Sequence, residues 1–101
     1  MSKDCIVRHV IVRGRVQGVG FRAFVEHHAL QHGLGGWVRN RRDGAVEAVF
    51  AGPPESVADV IRACEVGPPS ARVDGVDQRD ASDAELSLNS ADESFSCLPT
   101  A

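Results

Sequence analysis

The stretch Gly14-Arg15-Val16-Gln17-Gly18-Val19-Gly20-Phe21-Arg22 decides how this chain of 101 residues is read. Before it, residues 5–13 are rich in Ile and Val and stop at Gly14, which predicts a strand. Apolar side chains on both of its faces predict a central place in a sheet. After it, Phe21, Phe24, Val25 and Ala29 fall at helical spacing as far as His32, and Gly33 supplies the left-handed residue on which helices end. Residues 14–20, punctuated by glycine, are then the loop between the two. The unit is a strand, a glycine loop and a helix.

Working outward, residues 36–39 and 45–51 read as two strands joined by Asn40-Arg41-Arg42-Asp43-Gly44, where Asp-Gly is a strong tight-turn signal. Gly52-Pro53-Pro54 opens a second helix, with Val57, Val60, Ile61 and Cys64 filling one apolar stripe, and Gly67-Pro68-Pro69 ends it. Residues 71–78 form a weaker strand in which Val73 and Val76 fall out of alternation, so a bulge is expected near Gly75. The acidic run 80–93 is expected as a long loop. Phe95 and Cys97 alternate in a last short strand stopped by Pro99. The order strand, helix, strand, strand, helix, strand, plus a short C-terminal edge strand, describes an α+β, ferredoxin-like two-layer sandwich. Two helices lie on one face of an antiparallel sheet, and residues 1–101 form a single domain.

The bulk properties narrow the function classes. At 43% hydrophobic, the chain supplies one core. No run of about 18 apolar residues occurs, and the first residues lack a basic-then-apolar leader, so a soluble, cytoplasmic protein with no membrane partner is expected. The net charge of −3 argues against a general nucleic-acid binder, yet Arg8, Arg13, Arg15, Arg22, Arg39, Arg41 and Arg42 face only Glu26 over residues 8–42. A local positive field for a small anion fits that distribution. Cys5, Cys64 and Cys97 lack paired zinc-site spacing and are expected as buried free thiols. His28 and His32 stand one helical turn apart beside His27, but without a third ligand pattern no metal site is expected, and His32 suits a helix C-terminus. Trp37, Phe21, Phe24, Phe50 and Phe95 are expected in the core. Exposed hairpin arginines either steer an anion or have no such role.

A loop running into a helix start can aim successive amides at one point, where the helix dipole favours an anion. The same glycines also serve a tight strand-to-helix turn, and from spacing alone both readings stand. Neither Gly-Lys-Ser/Thr nor G-x-G-x-x-G follows, so a nucleotide fold is not supported. Arg22 in the first helical turn opposes the dipole by a few tenths to about 1 kcal/mol, a sign that a bound anion reverses. Its planar fork can hold two phosphate oxygens. The alternative is an exposed arginine lying over Trp37 or another apolar side chain. Asn40 is likewise open between a polar site residue and a turn residue.

The stretch from Gly14 to Arg22, followed by Gly36-Trp37-Val38-Arg39-Asn40 and Asp43-Gly44-Ala45-Val46-Glu47, closely resembles the acylphosphatase family. The likeness continues through Gly52-Pro53 and Gly67-Pro68-Pro69-Ser70-Ala71-Arg72-Val73, and fades beyond Asp77. The resemblance implies a hydrolase that converts an acyl phosphate and water into a carboxylate and inorganic phosphate. It implies that the amides of Arg15, Val16, Gln17, Gly18, Val19 and Gly20, with the Arg22 side chain, bind the phosphate. Asn40 then orients the attacking water. Neither cofactor nor metal is expected. Because the departing carboxylate is a good leaving group, no strong general acid is required.

Two rival readings remain. Acylphosphatase-like domains also occur as parts of hydrogenase-maturation carbamoyltransferases, so a catalytically idle anion-binding module is one; the lack of zinc-finger cysteine pairs favours the free-standing enzyme. An RNA-binding module is the other, but it wants aromatics on adjacent central strands and a basic sheet face, and this chain has no Tyr and an acidic balance. A monomer is expected, with a small-molecule acyl phosphate as its partner. The divergent C-terminal strand is expected to bear on edge stability more than on catalysis.

Overall fold

The computed structural model describes residues 5–88 and 95–101. Strand β1 (Ile6–Arg15) leads through the glycine loop into helix α1 (Phe21–Gln31), then strands β2 (Gly35–Asn40) and β3 (Val46–Gly52), helix α2 (Pro54–Val66), strand β4 (Arg72–Asp80), a single turn α3 (Asp83–Leu86) and strand β5 (Phe95–Cys97). The sheet order is β4-β1-β3-β2-β5. The four long strands pair antiparallel, and β1 lies inside the sheet between β4 and β3, as its two apolar faces required. The edge strand β5 joins β2 in parallel, with Gly36 opposite Phe95 and Val38 opposite Cys97.

Both helices bury one stripe against the same face of the sheet. Phe21, Val25 and Ala29 of α1 are buried, as are Val57, Val60, Ile61 and Cys64 of α2. They meet Val10, Val12, Val38, Val46, Ala48 and Phe50 from the three central strands. Each fully buried Val, Leu or Phe side chain contributes about 1.5–3 kcal/mol relative to exposure, so this face holds the molecule together. The expected bulge lies between β1 and β4: Arg13 stands opposite Gly75 and Gly14 opposite Val73, which leaves Asp74 as the additional residue.

Several expectations are corrected. Strand β1 continues through Gly14 and Arg15, so the loop is shorter than 14–20. The segment expected as a loop over 80–93 contains α3, built on a capping box in which the Ser82 side chain accepts from the Glu85 amide and Glu85 reaches back to the Ser82 amide. Residues 89–93 of that segment lie outside the described residues. Only Cys64 is a buried thiol, its pKa pushed up to about 12 chiefly by burial; Cys5 and Cys97 are exposed.

Trp37 is buried, but on the face opposite the helices, where its Nε1 donates to the Glu85 carbonyl at 2.8 Å. That face carries a chain of paired charges. His9 Nε2 lies 2.6 Å from Glu47 Oε2, Arg39 Nε donates to Glu47 Oε1 at 2.8 Å, and the Arg39 guanidinium sits 4.7 Å from the Trp37 ring centroid. Arg79 grips Glu85 with both terminal nitrogens, at 3.1 and 2.7 Å.

Candidate active site

Gly18 and Gly20 take positive φ, 75° and 81°, and Gly20 is the residue from which α1 starts. A Cβ at either position would meet nothing within 4 Å, so the glycines are needed for backbone conformation and leave open space in front of the loop. Among the described residues, none of the amides of residues 17–23 donates a turn, loop or cap hydrogen bond. Helix α1 has neither a side-chain cap nor an acid in its first turn. A helix start of this kind normally finds a carboxylate or hydroxyl partner; here the donors have none among the described residues.

Arg22 projects from that first turn, is exposed, and makes no hydrogen bond or ion pair among the described residues. It does not lie over Trp37; that place belongs to Arg39. Arg39 and Arg41 are committed to Glu47 and Asp43, at 2.8 and 3.1 Å, and so do not act as free steering charges. Arg15, at the end of β1, is exposed as well.

Asn40 ends β2. Its Oδ1 is buried and has no hydrogen-bond partner among the described residues. A buried acceptor left without a partner costs about 1–3 kcal/mol of desolvation, so this oxygen is available to a bound group or water. The backbone behind Asn40 is firmly held: its carbonyl accepts from the Ala101 amide at 3.0 Å, and the Leu98 amide donates to Val38 O at 2.9 Å. The C-terminal segment, expected to matter chiefly for edge stability, therefore also backs Asn40.

A cleft of about 330 Å³ joins these parts, lined by Val16, Gly18, Gly20, Phe21, Arg22, Ala23, Asn40 and Cys97. Of the residues singled out by sequence, Val16, Gly18, Gly20, Arg22 and Asn40 line it; Arg15, Gln17 and Val19 do not. Val16 is buried and anchors the loop in the core. Gln17 turns its side chain away to the hairpin, Nε2 donating to Arg41 O at 2.7 Å and Ala45 O at 2.9 Å. Cys97 is a lining residue the sequence reading missed. Burial, and then Glu26, push its thiol pKa up, while Arg22 pulls the other way, so it stays protonated at neutral pH. The alternation of Phe95 and Cys97 on a short strand was the available signal, but its neighbour was not apparent.

Among the described residues no group of three or more His, Cys, Asp and Glu could hold a metal ion, and no helix is long and apolar enough to cross a membrane. His28, with its pKa lowered first by burial and then by His27 and His32, packs against Phe24 with the rings tilted and their centroids 4.4 Å apart. His32 caps α1, its Nδ1 2.9 Å from the His28 carbonyl.

The sequence model of the acylphosphatase family matches residues 8–93. An acylphosphatase of Bradyrhizobium diazoefficiens is 58% identical over 94 residues, covering 93% of this chain and 95% of that protein. The crystal structure of acylphosphatase from Bacillus subtilis superposes with a TM-score of 0.80 at 34% identity, covering 92% of this chain and 98% of the other. Full-length HypF in its phosphate- and nucleotide-bound form contains a similar unit: the TM-score is 0.83 at 26% identity, over 99% of this chain but 13% of that one. With a matched model over most of its length and relatives of its own size at more than half identity, this chain belongs to the acylphosphatase family.

Proposed function

We propose that this protein hydrolyses acyl phosphates to a carboxylate and inorganic phosphate, with the amides of the loop 15–20 and the Arg22 guanidinium holding the phosphoryl group and Asn40 holding the attacking water. One water attacks phosphorus, the bond from phosphorus to the acyl oxygen breaks, the carboxylate leaves with the electron pair, and the water's protons pass to the inorganic phosphate product and solvent. Transfer of this kind needs positioning and stabilisation of charge on the phosphoryl oxygens more than it needs covalent chemistry from the protein. Fixed amides and a guanidinium supply the charge, and the Asn40 Oδ1 accepts a hydrogen bond from water to aim it in line. The reading includes a single domain over residues 1–101 that acts as a monomer in the cytoplasm without cofactor or metal.

The observation that carries the reading is the meeting, in one cleft, of Arg22, helix-start amides and the buried Asn40 Oδ1, none of which has a hydrogen-bond partner among the described residues. The test is hydrolysis of an aromatic acyl phosphate with a metal chelator present, comparing wild type with folded Arg22→Ala and Asn40→Ala variants. Arg22→Ala is expected to lose both turnover and phosphate affinity. Asn40→Ala is expected to keep phosphate affinity while turnover falls by about 10²-fold or more. Full activity in folded Asn40→Ala would remove its role, and an inactive wild type would leave the idle anion-binding module.

A further inference from the structure

Gln17 sits in the loop but points its side chain out of the cleft. Its Nε2 spans from the loop to the hairpin, donating to Arg41 O and Ala45 O at 2.7 and 2.9 Å, partners 24 and 28 residues away. Those two carbonyls already close the turn that follows Asn40: Arg41 N donates to Ala45 O at 2.8 Å and Gly44 N to Arg41 O at 3.1 Å. A carbonyl oxygen has two lone pairs, so each serves the turn with one and Gln17 with the other. Gln17 therefore adds a tether without being needed to form the turn.

The tether joins the two halves of the site. Gly18 and Gly20, next along the loop, offer no side chain with which to reach the hairpin, and Val16 and Val19 pack into the core on the helix side, so the link from loop to hairpin falls to Gln17. On the other side, Arg41 is bonded directly to Asn40, whose Oδ1 has no partner to fix it among the described residues. A water held by Asn40 must lie within near-attack distance and in line with a phosphoryl group held by the loop, and a misplacement of about 1 Å can cost about 10²-fold in rate.

Resting on the site reading above, we infer that the Gln17 side chain is a positioning residue that sets the separation between the phosphate-holding loop and Asn40. It acts on turnover through Asn40 and leaves phosphate binding to the backbone and Arg22. The chemistry behind this is the doubled donation of one amide group to the two carbonyls flanking the turn; a shorter or donor-less side chain leaves loop and hairpin to drift separately.

The test compares wild type, Gln17→Met, Asn40→Ala and the double variant, measuring kcat with an aromatic acyl phosphate and inhibition by inorganic phosphate. Gln17→Met, similar in length but without donors, is expected to lower kcat by roughly 10–100-fold with phosphate inhibition constants within about threefold of wild type. In the Asn40→Ala background the same change is expected to add less than about threefold, because the two act on one step. If Gln17→Met does not fold, Gln17→Asn, too short to reach both carbonyls, carries the same comparison. A folded Gln17 variant with wild-type kcat overturns the tether and leaves the site reading standing. Equal losses in kcat and phosphate affinity overturn it too, since they mean the loop itself has loosened. A fully active Asn40→Ala overturns the site reading and the tether together.

Discussion

Arg22 and Arg39 belong to opposite sides of the same sheet, and the protein treats them oppositely. Arg39 is enclosed by Glu47 and the Trp37 ring, and Glu47 in turn meets His9 with only 10% and 7% of their side chains exposed. Arg22 lines a cleft, has no acid in its helical turn, and has as neighbours amides that are unpartnered among the described residues. On one face Arg39 meets Glu47, Glu47 meets His9 and Arg79 meets Glu85, and this network fastens α3 and Trp37 over the sheet. On the other, Arg22 has no counterpart among the described residues, and the proposed function puts a phosphoryl group there. Polar groups satisfied by the fold maintain it; those left unsatisfied among the described residues are where the proposed function places its chemistry.

The comparison breaks first at Glu47. Burial on its own would raise the Glu47 pKa, but hydrogen bonds from His9 and Arg39 outweigh it and hold the carboxyl below its ordinary value of 4.5. Glu47→Ala leaves the Arg39 charge without its carboxylate and the buried His9 Nε2 without its hydrogen-bond partner, and is expected to cost about 3–5 kcal/mol of unfolding free energy, with activity per folded molecule retained. Because the native pKa is lowered, the carboxylate stabilises fully above about 4.5 and this contribution is lost as pH falls through the native value. Urea unfolding of wild type and variant across that range should therefore show two curves converging in acid, and a constant gap would contradict the pairing. The smaller effect is at Arg22: truncating a cation that opposes the dipole is expected to leave stability unchanged or raise it by a few tenths to about 1 kcal/mol without phosphate. A loss above 1 kcal/mol there would mean that Arg22 supports the fold and that the contrast with Arg39 is not real.

Much of this was legible in the sequence where local rules act. Gly18 and Gly20 marked the loop because the backbone there needs positive φ, and Arg22 stood out because it is wrong for a helix start without an anion. The bulge at Gly75 showed as two valines out of alternation. What escaped is set by tertiary contact. A three-residue strand does not encode its own direction, so the parallel pairing of β5 follows from Leu98 bonding back to Val38. The side chain of Gln17 finds partners in a hairpin far along the chain, and no spacing rule points there. The α3 turn did have a local signal, Ser82 three residues before Glu85, but four residues without an apolar stripe read as loop amid acidic neighbours.

Inorganic phosphate titrated into isotopically labelled protein, followed through the backbone amide resonances, tests the central claim most directly. The account predicts saturable shifts concentrated in residues 17–23 and at Asn40, absent in Arg22→Ala, with Glu47 and its partners unmoved. Shifts centred instead on Arg39, Arg41 and Arg42, or no saturable shift in folded wild type, would contradict it.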